Sequence, residues 1–208
     1  MDLGQHWNTA YTARAEDALT WFEDTPAQSL ALVRQYLPKA GTLLDVGGGA
    51  SRLADHALGC GAGAVTVLDL SRTALQITRQ RLADAPVTLV AANICNWSPD
   101  RAYDLWHDRA VFHFLTEPAD QQRYLQTLNR ALRPGGVAII ATFDLTGPDT
   151  CSNLPVQRYA PETLAKRMAE LAPGLLTPLQ SLRHAHRTPK GNMQDFQFSV
   201  FRKSADMV

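Results

Sequence analysis

An acid followed by three glycines, Asp45-Val46-Gly47-Gly48-Gly49, closes the apolar run Leu43-Leu44. A second apolar run, Val65-Thr66-Val67-Leu68, ends on Asp69. Glycines let a backbone turn sharply and come close to a ligand. A carboxylate at the end of the second strand can accept both hydroxyls of a ribose. Together they point to a ligand that contains a nucleoside. A dinucleotide fingerprint wants G-x-G-x-x-G/A, its last small residue letting the helix pack on the strand. Here Gly47 and Gly49 are followed by Arg52, a poor third position. Asp45 stands just ahead of the first glycine, where a carboxylate suits a cationic tail and repels a diphosphate. A nicotinamide oxidoreductase is disfavoured on both counts.

Other residues could move protons or hold a second molecule. His107 and Asp108 end a later apolar run, and His113 follows within one turn or short helix. A hydroxyl or a protonated amine must lose a proton before it acts as a nucleophile, and histidine near neutral pH suits that task. Asp108 and His113 are the candidate catalytic pair, each with a structural alternative: a strand-end Asp commonly caps a turn. Arg109, Arg158 and Arg187 could bind a carboxylate through paired hydrogen bonds, or lie in surface ion pairs. His184 and His186 share one strand face by the period of two. No third ligand at suitable spacing joins them, so no metal is expected. The aromatics Trp7, Tyr11, Trp21 and Phe22 precede the first helix. They could close as a lid whose faces favour a cation, or merely pack against the sheet.

The elements that must position these residues alternate. Ala27 to Leu37 has the apolar spacing of a helix that Pro38 stops. Thr42–Val46, Ala64–Leu68, Val87–Ala91, Tyr103–His107 and Val137–Phe143 read as strands. Between them, helices are expected over Ser51–Leu58, over a stretch capped by Ser71 and ending at Leu82, and from Pro118 to the break at Arg133-Pro134-Gly135-Gly136. Pro161–Leu171 looks helical, and Ser181–Arg187 with Gln194–Arg202 forms a terminal hairpin. The expected fold class is α/β: a doubly wound, Rossmann-like, seven-stranded sheet with an antiparallel C-terminal hairpin. Its ligand lies beyond the C-terminal strand ends, where Asp45, Asp69, Asn93, Asp108 and Thr142 converge. The 208 residues suffice for one domain with a full core.

At this point the chain resembles the class I S-adenosylmethionine-dependent methyltransferases over nearly its whole length. Leu43-Leu44-Asp45-Val46-Gly47-Gly48-Gly49 is similar to their first motif, and Val67-Leu68-Asp69-Leu70-Ser71 to the second, whose acid binds ribose. Ala92-Asn93-Ile94 stands where the family usually has an acid beside adenine; the Asn93 side-chain oxygen could meet the adenine amino group. Tyr103-Asp104-Leu105-Trp106-His107-Asp108 resembles the fourth motif, and Leu132-Arg133-Pro134-Gly135-Gly136 a frequent lead-in to the fifth strand. The resemblance implies S-adenosylmethionine as cofactor, with Asp45, Gly47, Gly49, Asp69, Leu70, Asn93, Ile94 and Asp108 around it. On the acceptor side the candidates are Trp7, Tyr11, Trp21, Arg109, His113, Arg158 and His186. Ser51 departs from the pattern, standing where a third glycine is frequent. Asp108-Arg109-Ala110 through His113 partially resembles the Asp-Lys-Gly-Thr-x-Asp segment of the citrate-synthase- and elongation-factor-directed lysine methyltransferases. Ala110 and His113 replace its glycine and second acid.

Composition bounds the partners. Basic and acidic residues balance at 20 each, which argues against a nucleic-acid surface. Cys60, Cys95 and Cys151 form neither a CxxC nor a zinc spacing, and an odd number suits a reducing compartment. No window reaches the length of a membrane span, and the N-terminus lacks the features of a signal peptide. A cytoplasmic enzyme methylating a small molecule is expected. The alternatives are a protein-lysine methyltransferase and a non-catalytic, cofactor-binding scaffold subunit.

Overall fold

The computed structural model describes residues 2–205. Its main sheet has seven strands: β1 (Thr42–Val46), β2 (Ala64–Asp69), β3 (Val87–Ala91), β4 (Tyr103–Arg109), β5 (Leu132–Phe143), β8 (Leu176–Arg187) and β9 (Met193–Lys203). A separate small hairpin joins β6 (Thr150–Cys151) to β7 (Leu154–Pro155). The order across the main sheet is β3-β2-β1-β4-β5-β9-β8. β1 to β5 run parallel, and β9 enters antiparallel against β5. This is the Rossmann-like methyltransferase arrangement.

The apolar runs are continuous because both faces of the sheet are covered. Neighbouring residues divide between two cores: Leu43, Leu105 and Ile139 face one way, Leu44, Trp106 and Ile140 the other. On the first face lie α2 (Ala27–Tyr36), α3 (Leu53–Gly59) and α4 (Arg72–Leu82), through Leu30, Val33, Leu53, Ala57 and Leu75. On the second lie α5 (Pro118–Ala131) and α6 (Pro161–Leu171), through Tyr124, Leu128, Leu164 and Met168. Ser71 caps α4 by accepting from the Ala74 amide at 3.1 Å.

Three differences from the sequence expectation matter. Residues 1–25 carry a helix, α1 (Leu3–Thr12), capped by Asp2, whose carboxylate accepts from the Gln5 amide at 3.2 Å. Its apolar residues are few, so the period was faint; Leu3, Trp7 and Tyr11, four apart, form its inner face. β5 begins at Leu132, through the Pro-Gly-Gly expected to be a break, because Leu132 already pairs with Tyr103 before the register shifts. β8 and β9 extend beyond the expected hairpin at both ends of the pair. Among the described residues, no helix is long and apolar enough to cross a membrane.

Candidate active site

A cavity of 340 Å³ opens where the C-terminal ends of β1, β2, β3 and β4 meet, under α1 and the segment that follows it. That volume falls in the range of small-molecule pockets. Asp45, Val46, Gly47 and Gly48 line it from β1, Asp69 and Leu70 from β2, Asn93 and Ile94 from the turn after β3, and His107 and Arg109 from β4.

Gly47 and Gly49 have φ of +66° and +46°, a region that strains any residue with a Cβ. A Cβ on Gly49 would also lie 2.6 Å from the Tyr11 hydroxyl oxygen and 3.0 Å from Asp69 Oδ2. Gly49 itself does not face the cavity; its amide supports the Asp69 carboxylate from behind. A Cβ on Gly48 would run into Asp45 Oδ2. Gly48 was not singled out by the sequence pattern, and its need for glycine comes from this neighbour.

Asp45 is 3% exposed. Its Oδ1 is 2.8 Å from His107 Nδ1, while Oδ2 has no hydrogen-bond partner. The pairing follows from register, since Asp45 stands opposite His107 across parallel β1 and β4. His107 Nε2 lies 2.9 Å from Ser29 Oγ on α2. With Nδ1 donating to the carboxylate, the neutral ring has Nε2 free to accept the serine hydroxyl. A buried carboxylate oxygen without a donor is costly, so this one calls for a cationic or N–H-bearing ligand.

Asp69 is also buried. Burial pushes its carboxyl up to about 7, and Asp45 adds to the rise. Amides of Ser71, Leu70 and Gly49 oppose it, the Ser71 bond measuring 2.7 Å. Asn93 lines the cavity, but its side-chain oxygen already accepts from the Cys95 amide at 2.9 Å. That oxygen retains one lone pair for a ligand.

Trp7, Tyr11, Trp21 and Phe22, the residues expected to form a lid, line the cavity. Trp7 meets Trp21 and Phe114 edge to face at 5.8 and 5.2 Å, and Trp21 Nε1 donates to the Tyr11 hydroxyl at 3.2 Å. Burial pushes the Tyr11 phenol well above its usual value, with Asp69 adding to the rise. Asn8 anchors α1 by accepting from Ser71 Oγ at 3.0 Å and the Thr73 amide at 3.2 Å. Arg52 pairs with Glu16 and stacks over Phe22 at 5.7 Å. The residue that spoils a dinucleotide fingerprint thus fastens the lid.

Four expected site residues lie elsewhere, and their assignments are corrected. Asp108 is fully buried and off the cavity wall. Its oxygens accept from the Val111 amide at 2.8 Å, the Phe112 amide at 3.1 Å and the Tyr124 hydroxyl at 2.6 Å. It caps the short turn after β4 and touches neither cofactor nor acceptor space. His113 is packed between Phe114 and Phe143, with Nδ1 accepting from the Phe143 amide at 3.4 Å. Burial, with Arg109 nearby, pushes its pKa down to about 3, so it is a neutral core residue. Of the two residues on which the lysine-methyltransferase resemblance rests, Asp108 is inside the protein and Arg109 lines the cavity. Arg158 donates to the Leu145 and Gly147 carbonyls at 2.9 and 3.0 Å and is spent on a loop. His186 stands behind the wall, bonded to Glu23 and to the Thr20 carbonyl. Among the described residues no group of three or more His, Cys, Asp or Glu is placed to hold a metal ion.

Comparison with known proteins fits this geometry. Residues 43–136 match the family model described as a methyltransferase domain. This segment is similar to that domain. It holds β1 to β4, the glycine turn, Asp69 and the Asn93 turn. No curated protein sequence matches. Among similar solved structures is the 1,6-didemethyltoxoflavin-N1-methyltransferase of Burkholderia thailandensis, determined with 1,6-didemethyltoxoflavin and S-adenosylhomocysteine. It is 22% identical, with 97% of this chain and 85% of that one covered, at a TM-score of 0.72. The N-methyltransferase NodS of Bradyrhizobium japonicum, determined with S-adenosylhomocysteine, is 19% identical, with 94% and 98% covered and a TM-score of 0.70. A methyltransferase from Anabaena variabilis is 13% identical, with 98% and 96% covered and a TM-score of 0.76. These likenesses extend the fold of the methyltransferase domain to the terminal hairpin and α1.

Glu23, Ser29 and Phe114 also line the cavity and were not picked out from the sequence. Ser29 and Glu23 are single polar residues in a helix and a loop. Nothing local marks them; only the register of β4 and the path of the lid bring them to the site.

Proposed function

We propose that the chain transfers a methyl group from S-adenosylmethionine to a small-molecule acceptor. The observation that carries the reading is Asp45, which lines the cavity beside the glycine turn and whose Oδ2 is buried without a partner. An ammonium group satisfies it. Asp45 would hold the amino-acid end, Asp69 the ribose hydroxyls, and Leu70, Asn93 and Ile94 the adenine. When bound, the cofactor supplies an electrophilic methyl on a sulfonium. Trp7, Tyr11, Trp21 and Phe114 exclude water above it, which strengthens the electrostatic contacts inside. His107, oriented by Asp45, has a nitrogen placed to take up a proton through Ser29. The enclosed volume and the aromatic lid favour a small acceptor over a folded protein. With all three cysteines free, we place the enzyme in the reducing cytoplasm.

Calorimetric titration with S-adenosylmethionine, S-adenosylhomocysteine and NAD(H) tests this. Micromolar binding of the two sulfur compounds and none of NAD(H) is expected. Asp45→Asn should weaken the sulfur compounds at least tenfold, about 1.4 kcal/mol or more. Failure of both sulfur compounds to bind sinks the proposal.

A further inference from the structure

Arg109 is the last residue of β4 and, among the described residues, the sole arginine or lysine of the cavity wall. Three contacts fix its guanidinium. It lies over the Phe196 ring at 5.0 Å, Nη1 donates to the Trp21 carbonyl at 3.1 Å, and Nη2 stands 3.6 Å from Glu23 Oε1. That last separation is too long for a hydrogen bond, and Nη2 has no hydrogen-bond partner. The protein therefore holds a donor ready and leaves it unused.

Glu23 is ionised: burial alone would raise its pKa, but the His186 hydrogen bond and Arg109 outweigh burial and lower it. His186 places Nδ1 3.1 Å from Glu23 Oε1 and Nε2 2.9 Å from the Thr20 carbonyl. His113 beside Arg109 is neutral, as is Cys151, whose thiol burial pushes up to about 11. Glu23 is held by His186 and stands 3.6 Å from Nη2, beyond hydrogen-bond reach, so it leaves that donor unsatisfied. The remaining acids are engaged elsewhere: Glu16 with Arg52 and Arg81, Asp120 with Arg123, and Asp45 and Asp69 at the cofactor end. Trp21, Phe22, Leu154 and Pro155 give the same cavity apolar wall.

Resting on the proposed methyltransferase reading, we infer that the acceptor is a small carboxylate with an apolar body, its carboxylate held by Arg109. A carboxylate supplies the acceptor that Nη2 lacks, and a planar guanidinium matches it geometrically. Glu23, held by His186, acts as a positioning residue that fixes the guanidinium. Because Glu23 and the Trp21 carbonyl belong to the lid, closing the lid also assembles the acceptor subsite.

The test uses the full chain saturated with S-adenosylhomocysteine, whose own binding is measured first in each protein. Benzoate, indole-3-acetate and hexanoate are then titrated beside their three amides. At least one carboxylate is expected to bind tenfold or more tighter than its amide. Arg109→Gln is expected to remove that preference, and Arg109→Lys, which keeps the charge and loses the fork, to retain part of it. If no carboxylate outbinds its amide, including the case where none binds, the inference is overturned. The same holds if the preference survives in Arg109→Gln. Failure of S-adenosylhomocysteine to bind would instead strike the methyltransferase reading itself.

Discussion

Acidifying the protein from pH 8 to pH 6 is expected to weaken S-adenosylhomocysteine binding about tenfold, and Asp69 is the reason. Burial pushes its carboxyl up to about 7 despite three backbone N–H groups directed at it. Under the proposed function the ionised form accepts two ribose hydroxyls, whereas protonation converts one oxygen into a donor. For a group titrating near 7, the ionised fraction falls from about 0.9 at pH 8 to about 0.1 at pH 6. That tenfold change corresponds to about 1.4 kcal/mol. Stability of the free protein runs the opposite way. The folded pKa lies above the unfolded value of about 3.9. The stabilising contribution of Asp69 is therefore fully present below that value and is lost as pH rises through about 7. The rise in Tm caused by the ligand should accordingly be larger at pH 8 than at pH 6. Calorimetry at constant ionic strength across this range is the assay, with Asp69→Asn as control. The variant should bind more weakly at pH 8 and show no slope. A flat profile in the natural protein, or an equal slope in Asp69→Asn, refutes the reasoning.

Asp108→Ala removes the acceptor for three buried donors and should cost about 2–4 kcal/mol in urea unfolding. S-adenosylhomocysteine affinity of the folded protein should stay within about twofold, and a selective loss of binding would restore Asp108 to the site. Gly49→Ala forces a Cβ into the left-handed region, about 1–2 kcal/mol of strain, and against the Tyr11 hydroxyl. Weaker cofactor binding and faster proteolysis within residues 13–25 are the expected readouts; unchanged proteolysis would show that the lid does not rest on this turn.

The β/α alternation was legible because the inner strands of the parallel sheet are buried on both faces, which writes uninterrupted apolar runs such as Leu43-Leu44 and Val65–Leu68. Ser71 and the prolines at 118 and 161 marked helix starts by local chemistry, and the structure has helices there. Helix α1 escaped notice because one face of it is spent on the lid and the rest is exposed and polar. The glycine turn and its two acids were readable for a related reason: they sit at strand ends, a fixed short distance along the chain from the runs that place them.

The acceptor end was not. Asp108 and His113 have the residue types of catalysts, but whether a strand-end side chain faces a cavity or a turn depends on the path of the following backbone. That path turns Asp108 toward the amides of Val111 and Phe112. Arg109 could be named from the sequence as a carboxylate binder. Its sorting from Arg158, which caps loop carbonyls, required the lid, Phe196 and Glu23 to be in place. Sequence alone determined which residues stand at the strand ends, since local periodicity decides that. Tertiary structure decided which of them keep an unused hydrogen-bonding atom, because that depends on partners drawn from distant parts of the chain: Glu23 and Trp21 of the lid, Ser29 of α2, and Phe196 of β9.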